Sequence, residues 1–105
     1  MPKVYIAGPY TKPDPKENTL NAIIVAEKVA RLGFIPFIPH LTYYWEQEFH
    51  HEYNFWLEQD IEWLKCCDIV IRIPGESLGA DKEIVLAKQL KKKVYTLASF
   101  LKKYK

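Results

Sequence analysis

DIVIRIPGESLGADKEIVLAKQL, from Asp68 to Leu90, is the stretch that decides the fold. Its opening run Ile69-Val70-Ile71-Arg72-Ile73 is short, apolar and β-branched apart from one arginine, and reads as a buried strand. Pro74 to Gly79 collects proline, glycine and serine and reads as a loop. From Ala80 to Leu90 the apolar positions Ile84, Val85, Ala87 and Leu90 return at helical spacing. Val94-Tyr95-Thr96-Leu97 then forms a further strand, with a short helix after it.

The same alternation runs upstream. Lys3 to Ala7 is a first strand stopped by Gly8-Pro9, and a loop with Tyr10, Thr11, Pro13 and Pro15 follows. From Glu17 the residues Leu20, Ile23, Ile24, Ala26, Val29, Ala30 and Leu32 recur at three and four, with Gly33 as the C-cap of a helix. Phe34 to Pro39 is extended, since each proline restricts the residue before it, and its prolines mark an edge strand. His40 to Asn54, with Tyr43, Tyr44, Trp45, Phe49 and Tyr53, is the least regular stretch and reads as a lid or a partner surface. Phe55 to Cys66 is a second helix. Strand and helix thus alternate over short connections. The expected fold is α/β: one domain over residues 1–105, a doubly wound, mainly parallel sheet of four or five strands, with helices on both faces.

Bulk properties narrow the function classes. The chain has 105 residues, 49% hydrophobic, enough for a core that needs neither disulfides nor a structural metal. Fifteen basic against thirteen acidic residues leave a net charge of +2, too little for a nucleic-acid footprint, and the lysines at 91–93 and 102–105 read as solvated helix ends. Met1-Pro2-Lys3 runs straight into the first strand, with no apolar signal-peptide core and no span for a bilayer, so the expectation is a cytoplasmic protein without membrane or nucleic-acid partners. Cys66 and Cys67 are adjacent and read as reduced packing residues. His40, His50 and His51 have no ligand-spaced partners, so no metal is expected.

In open parallel sheets ligands bind beyond the carboxyl ends of the strands. That rule gathers Gly8, Pro9 and Tyr10, the region of His40 after Phe37, and the loop with Ser77 and Gly79 around one crevice. Glu83 lies about one turn into the helix after that loop, where the helix N-terminus favours its charge. Ser77 and Gly79 can offer a hydroxyl and a backbone N–H to an anion there. Asp60 has two open readings, a surface position beside Glu62 or an inward carboxyl whose raised pKa suits it to give a proton to a leaving group. Tyr5 points away from the Val4 and Ile6 side, either packing or bonding a carboxylate. His40 has a structural and a ligand-contacting reading.

Tyr5-Ile6-Ala7-Gly8-Pro9-Tyr10, Gln59-Asp60-Ile61-Glu62-Trp63-Leu64 with Cys67-Asp68-Ile69-Val70, and Ser77-Leu78-Gly79-Ala80-Asp81-Lys82-Glu83 followed by Ala87 together resemble the nucleoside 2-deoxyribosyltransferase family. Within it the pattern is closest to the 2'-deoxynucleoside 5'-monophosphate N-hydrolases. The resemblance implies a Glu83 nucleophile that attacks the sugar of a small nucleoside or nucleotide, Tyr5 orienting it and Asp60 protonating the departing base. It implies no cofactor, and a homodimer or higher homo-oligomer. Ser77 stands where the transferases carry an acidic residue and the monophosphate hydrolases a serine, which points to a 5'-monophosphate. Lys82 and Val85 depart from the pattern, which has an aromatic residue before the nucleophile and a small one two after it. The alternative is a non-catalytic nucleotide-binding module on the same fold.

Overall fold

The computed structural model describes residues 1–105. Four strands, β1 (Lys3–Ala7), β2 (Ile35–Phe37), β3 (Ile69–Arg72) and β4 (Lys93–Thr96), form one parallel sheet in the order β2-β1-β3-β4. The five helices are α1 (Pro15–Arg31), α2 (Thr42–Glu48), α3 (Tyr53–Lys65), α4 (Leu78–Gln89) and α5 (Leu97–Tyr104). The chain steps from β1 outward to β2, then back across β1 to β3 and β4. Its topological switch point is therefore the gap between the carboxyl ends of β1 and β3.

Strand alternation divides the core. Val4, Ile6, Ile69, Ile71 and Ile73 face one side, where Ala22, Val25 and Val29 of α1 and Phe100 of α5 cover them. Tyr5, Ala7 and Val70 face the other, against Leu64 from α3 and Ala80 and Ala87 from α4. The second layer is built of smaller side chains, so α4 lies close to the sheet.

Several boundaries differ from the sequence reading, each for a local reason. Helix α1 begins at Pro15, because Asp14 caps it by accepting from the Lys16 N–H and proline is at home in a first turn. Helix α4 begins at Leu78, since Ser77 Oγ accepts from the Ala80 N–H at 3.1 Å and makes Ser77 the N-cap. The stretch 40–54 is not irregular: a 3-10 turn over Pro39–Leu41 leads into α2, and α3 already starts at Tyr53. Within α1 the buried row is Thr19, Ala22, Val25 and Val29, while Leu20, Ile23 and Ile24, read as core positions, point outward.

The switch-point loops are held by close backbone approach. A Cβ on Gly75 would lie 2.6 Å from Cγ of Pro9, and Gly75 has a φ of +128°. Gly33 also has a positive φ, +96°, but a Cβ there would meet nothing within 4 Å. Gly75→Ala is therefore expected to cost about 2–3 kcal/mol and Gly33→Ala about 1 kcal/mol, the backbone share alone. Urea denaturation of both variants checks this; equal losses would show that the Pro9 contact relaxes freely.

Candidate functional site

The site is founded on the buried face of α4. Ala80, Glu83 and Ala87 recur at three and four and are all buried, so the row that packs on the sheet carries one carboxylate between two alanines. The alanines let the helix approach, and Glu83 then meets the outward end of Tyr5, a fully buried residue at the centre of β1. Tyr5 Oη donates to Glu83 Oε2 in a short hydrogen bond. The Tyr5 ring is tilted on Phe37, its register partner in β2, with centroids 5.8 Å apart.

Burial raises the Glu83 pKa to about 7, against the opposing pull of the Tyr5 hydrogen bond and of the Arg72 charge. Asp60, half-buried on α3, is also raised to about 7, first by burial and then by the charge on Glu83. Tyr5 is held well above its ordinary range by burial and by the Glu83 and Asp60 charges, so it stays a phenol and a donor. Once Glu83 is ionised, its charge makes Asp60 harder to ionise. Near neutral pH the pair accommodates one carboxylate and one carboxylic acid, the protonation state that pairs a nucleophile with a proton donor.

The remaining residues singled out in the sequence line the switch point in different ways. Gly8 is buried where a Cβ would come within 2.9 Å of Cβ of Ile73, so its smallness serves the packing of β1 against β3. The Pro9 carbonyl accepts from His40 Nε2 at 3.1 Å. That bond fixes the proton on Nε2 and leaves His40 Nδ1, buried, without a partner. Burial lowers the His40 pKa, keeping the ring neutral. Tyr10 meets the His40 ring edge-on at 6.3 Å; burial raises its pKa, and the charges of Glu46, Tyr43 and Asp60 add to the shift. Tyr10 therefore lies within electrostatic reach of Glu46 and Asp60. Ser77 caps α4, and Gly79 follows in its first turn.

Three contributors were not read from the sequence. Arg72 closes β3 and donates to the carbonyls of Ile73 and Gly75 and to Asp81, at 2.9 Å for the last two, which pins the 74–77 loop over α4. Its signal was available, as the one charge in an apolar strand. Glu46 accepts from the His51 N–H at 2.9 Å and from Trp56 Nε1 at 2.6 Å, fastening the turn between α2 and α3. Tyr53, the first residue of α3, places its hydroxyl 3.7 Å from where a Cβ of Gly79 would be, over the first turn of α4. Neither of these last two had a local pattern to betray it.

Because folding raises both carboxyl pKa values, the folded chain holds protons that the unfolded chain has released. That stabilisation is complete below about pH 3.8, the lower of the two unfolded values, and is lost as the pH rises through about 7. Thermal midpoints are expected to fall between about pH 5 and pH 8, and Glu83→Gln, whose amide oxygen still accepts from Tyr5, is expected to flatten that slope. At pH 8 the variant should exceed the parent by about 2 kcal/mol. A parental slope unchanged in Glu83→Gln would remove Glu83 as its source.

No curated protein matches the chain. Among solved structures, the 2-deoxyribosyltransferase of the psychrotolerant bacterium Bacillus psychrosaccharolyticus superposes with a TM-score of 0.63 at 23% identity, over 90% of this chain and 70% of its own. The 2-deoxyribosyltransferase of Leishmania mexicana gives a TM-score of 0.66 at 23% identity, over 91% of this chain and 63% of its own, so this chain spans less than two thirds of that enzyme. The likeness is one of fold: a four-stranded parallel sheet between helical layers. Residues 2–97 match the model of the family described as Domain of unknown function (DUF7768), and the chain belongs to that family.

Proposed function

We propose that the chain cleaves the N-glycosidic bond of a nucleoside or nucleoside 5'-monophosphate through a covalent sugar ester on Glu83. The observation that carries this reading is the buried, hydrogen-bonded pair of Glu83 and Tyr5 at the switch point of the sheet, with Asp60 within reach of the Glu83 charge. In the first step the Glu83 carboxylate attacks the anomeric carbon while the bond from that carbon to the base nitrogen breaks, and the Asp60 proton goes to the departing base. In the second, water or another base attacks the same carbon, its proton passes to Asp60, and Glu83 leaves as the carboxylate. Tyr5 is a positioning residue in this scheme. Its phenol aims one carboxylate oxygen and leaves the other to react.

The fold of the two 2-deoxyribosyltransferases supports the reading, since their chemistry belongs to the same sugar-to-base bond. For the 5' group, the local donors favour a phosphate. The N–H groups of Leu78 and Gly79 open α4 without backbone partners, and the Ser77 hydroxyl proton is free while its oxygen caps the helix. Donors in direct contact outweigh the surrounding carboxylates, whose charges are screened over about 8–10 Å at ordinary salt.

Release of free base from a panel of nucleosides and 5'-monophosphates, followed by chromatography, tests the reaction. Glu83→Ala is expected to lose at least about 10³-fold in kcat, and Asp60→Asn about 10²–10⁴-fold on substrates with poor leaving bases. Undiminished turnover in Glu83→Ala would overturn the mechanism. Ser77→Asp is expected to cut kcat/KM for the monophosphate at least about tenfold while sparing the nucleoside, because a carboxylate there repels a phosphate. Equal losses on both substrates would place the 5' group elsewhere.

A further inference from the structure

The end of the sheet opposite the crevice gathers charge that the sequence spreads along the chain. All four strands begin there, and α1, α3, α4 and α5 end there. The last turns of these helices bring Lys28, Arg31, Lys65, Lys88, Lys102 and Lys103, and the strands, loops and terminus add Lys3, Lys91, Lys92, Lys93 and Lys105. Those are eleven of the fifteen basic residues, against only three acids, Glu27, Glu62 and Asp68, which leaves that pole at +8. The crevice end holds the other four basic and ten acidic residues, a formal −6. A net charge of +2 conceals this separation.

Complementing helix dipoles accounts for cations within the last turns, and Lys3, Lys91, Lys92, Lys93 and Lys105 lie outside them. Glu27 pairs with Arg31 and Glu62 with Lys65, so nine of the eleven cations have no carboxylate partner. Lys91 is the telling case. It follows the C-cap of α4 with a φ of +59°, the left-handed conformation that the equivalent position after α1 fills with Gly33. A lysine sits there against its backbone preference, exposed beside two further lysines. Across the same pole runs an open groove of about 600 Å³, walled by Met1, Pro2, Phe34, Lys93 and Tyr104 and by Asp68, whose carboxylate accepts from the Lys3 N–H.

We propose that this pole binds the phosphate backbone of a nucleic-acid strand, away from the crevice and independently of its chemistry. Lysines are point charges that contact phosphates without reading sequence, and the groove between them is partly lined by the half-buried rings of Phe34 and Tyr104. A bilayer surface would instead call for a continuous projecting apolar face, and here Met1 is the one large apolar side chain of the groove that projects, while Phe34 and Tyr104 are half-buried in a concavity.

The test is fluorescence anisotropy of labelled oligo-dT between about 50 and 200 mM salt. The expected result is saturable binding with a Kd of about 10⁻⁴–10⁻⁶ M that weakens with salt. Lys91→Gly combined with Lys102→Glu and Lys105→Glu should weaken it at least about tenfold and reduce the log–log salt slope by about 2, at about 0.7 per lost phosphate contact. Lys91→Gly alone should weaken binding while raising Tm, which separates lost contact from lost fold. Arginine at positions 102 and 105 should preserve binding. No binding at the lowest salt, equal binding by the triple variant, or binding to phosphatidylserine vesicles with none to oligo-dT would each overturn the proposal. Release of base by the triple variant reads the crevice separately.

Discussion

Glu83 is the one carboxylate among the buried residues, and the architecture around it follows from where it lies. A carboxyl on the packed face of a helix needs a donor in the layer below, or it must shed its charge. Tyr5 supplies that donor from the centre of β1, a strand flanked on both sides and fully covered. The arrangement requires small neighbours, because the helix must come near enough for a glutamate and a tyrosine to span the gap together. Ala80 and Ala87 on α4 and Ala7 on β1 provide them. Larger residues at those places would push α4 outward and part the two side chains.

Around this pair the mouth of the crevice is tied at several independent points. Gly8 admits Ile73, Gly75 admits Pro9, the Pro9 carbonyl takes the His40 proton, and Arg72 gathers the loop that precedes α4. These contacts join the ends of β1, β2 and β3 to one another rather than to solvent. A site framed in this way keeps its geometry when empty, so little binding energy is consumed in ordering it.

The layered fold is legible because alternation and helical spacing record which faces are buried, and counting puts Glu83 one turn into its helix, while it leaves Tyr5 and Asp60 with two readings each. The orientation of a helix with two apolar rows was not legible: Leu20, Ile23 and Ile24 are as apolar as Ala22, Val25 and Val29, and only the closeness that small residues permit selects the second row. Helix α2 escaped notice because Glu46 fastens it through residues five and ten positions on, contacts that no local period records. The close packing of Gly8 on Ile73 is not legible either, since it joins residues 65 positions apart. The charged pole was invisible for a related reason. Its lysines come from five separate segments that only the parallel topology brings to one end.

Pro36 has a bearing on how copies of the chain can meet. It lies at the middle of β2, one of the two edge strands, and the Ile35 N–H donates inward to the Pro2 carbonyl. By alternation the next N–H would face outward, and proline has none. The three-residue edge thus presents no central donor to an incoming strand, which blunts sheet-to-sheet growth and its slide into aggregation. Through this edge, copies of the chain can meet by side chains and not by pairing backbone.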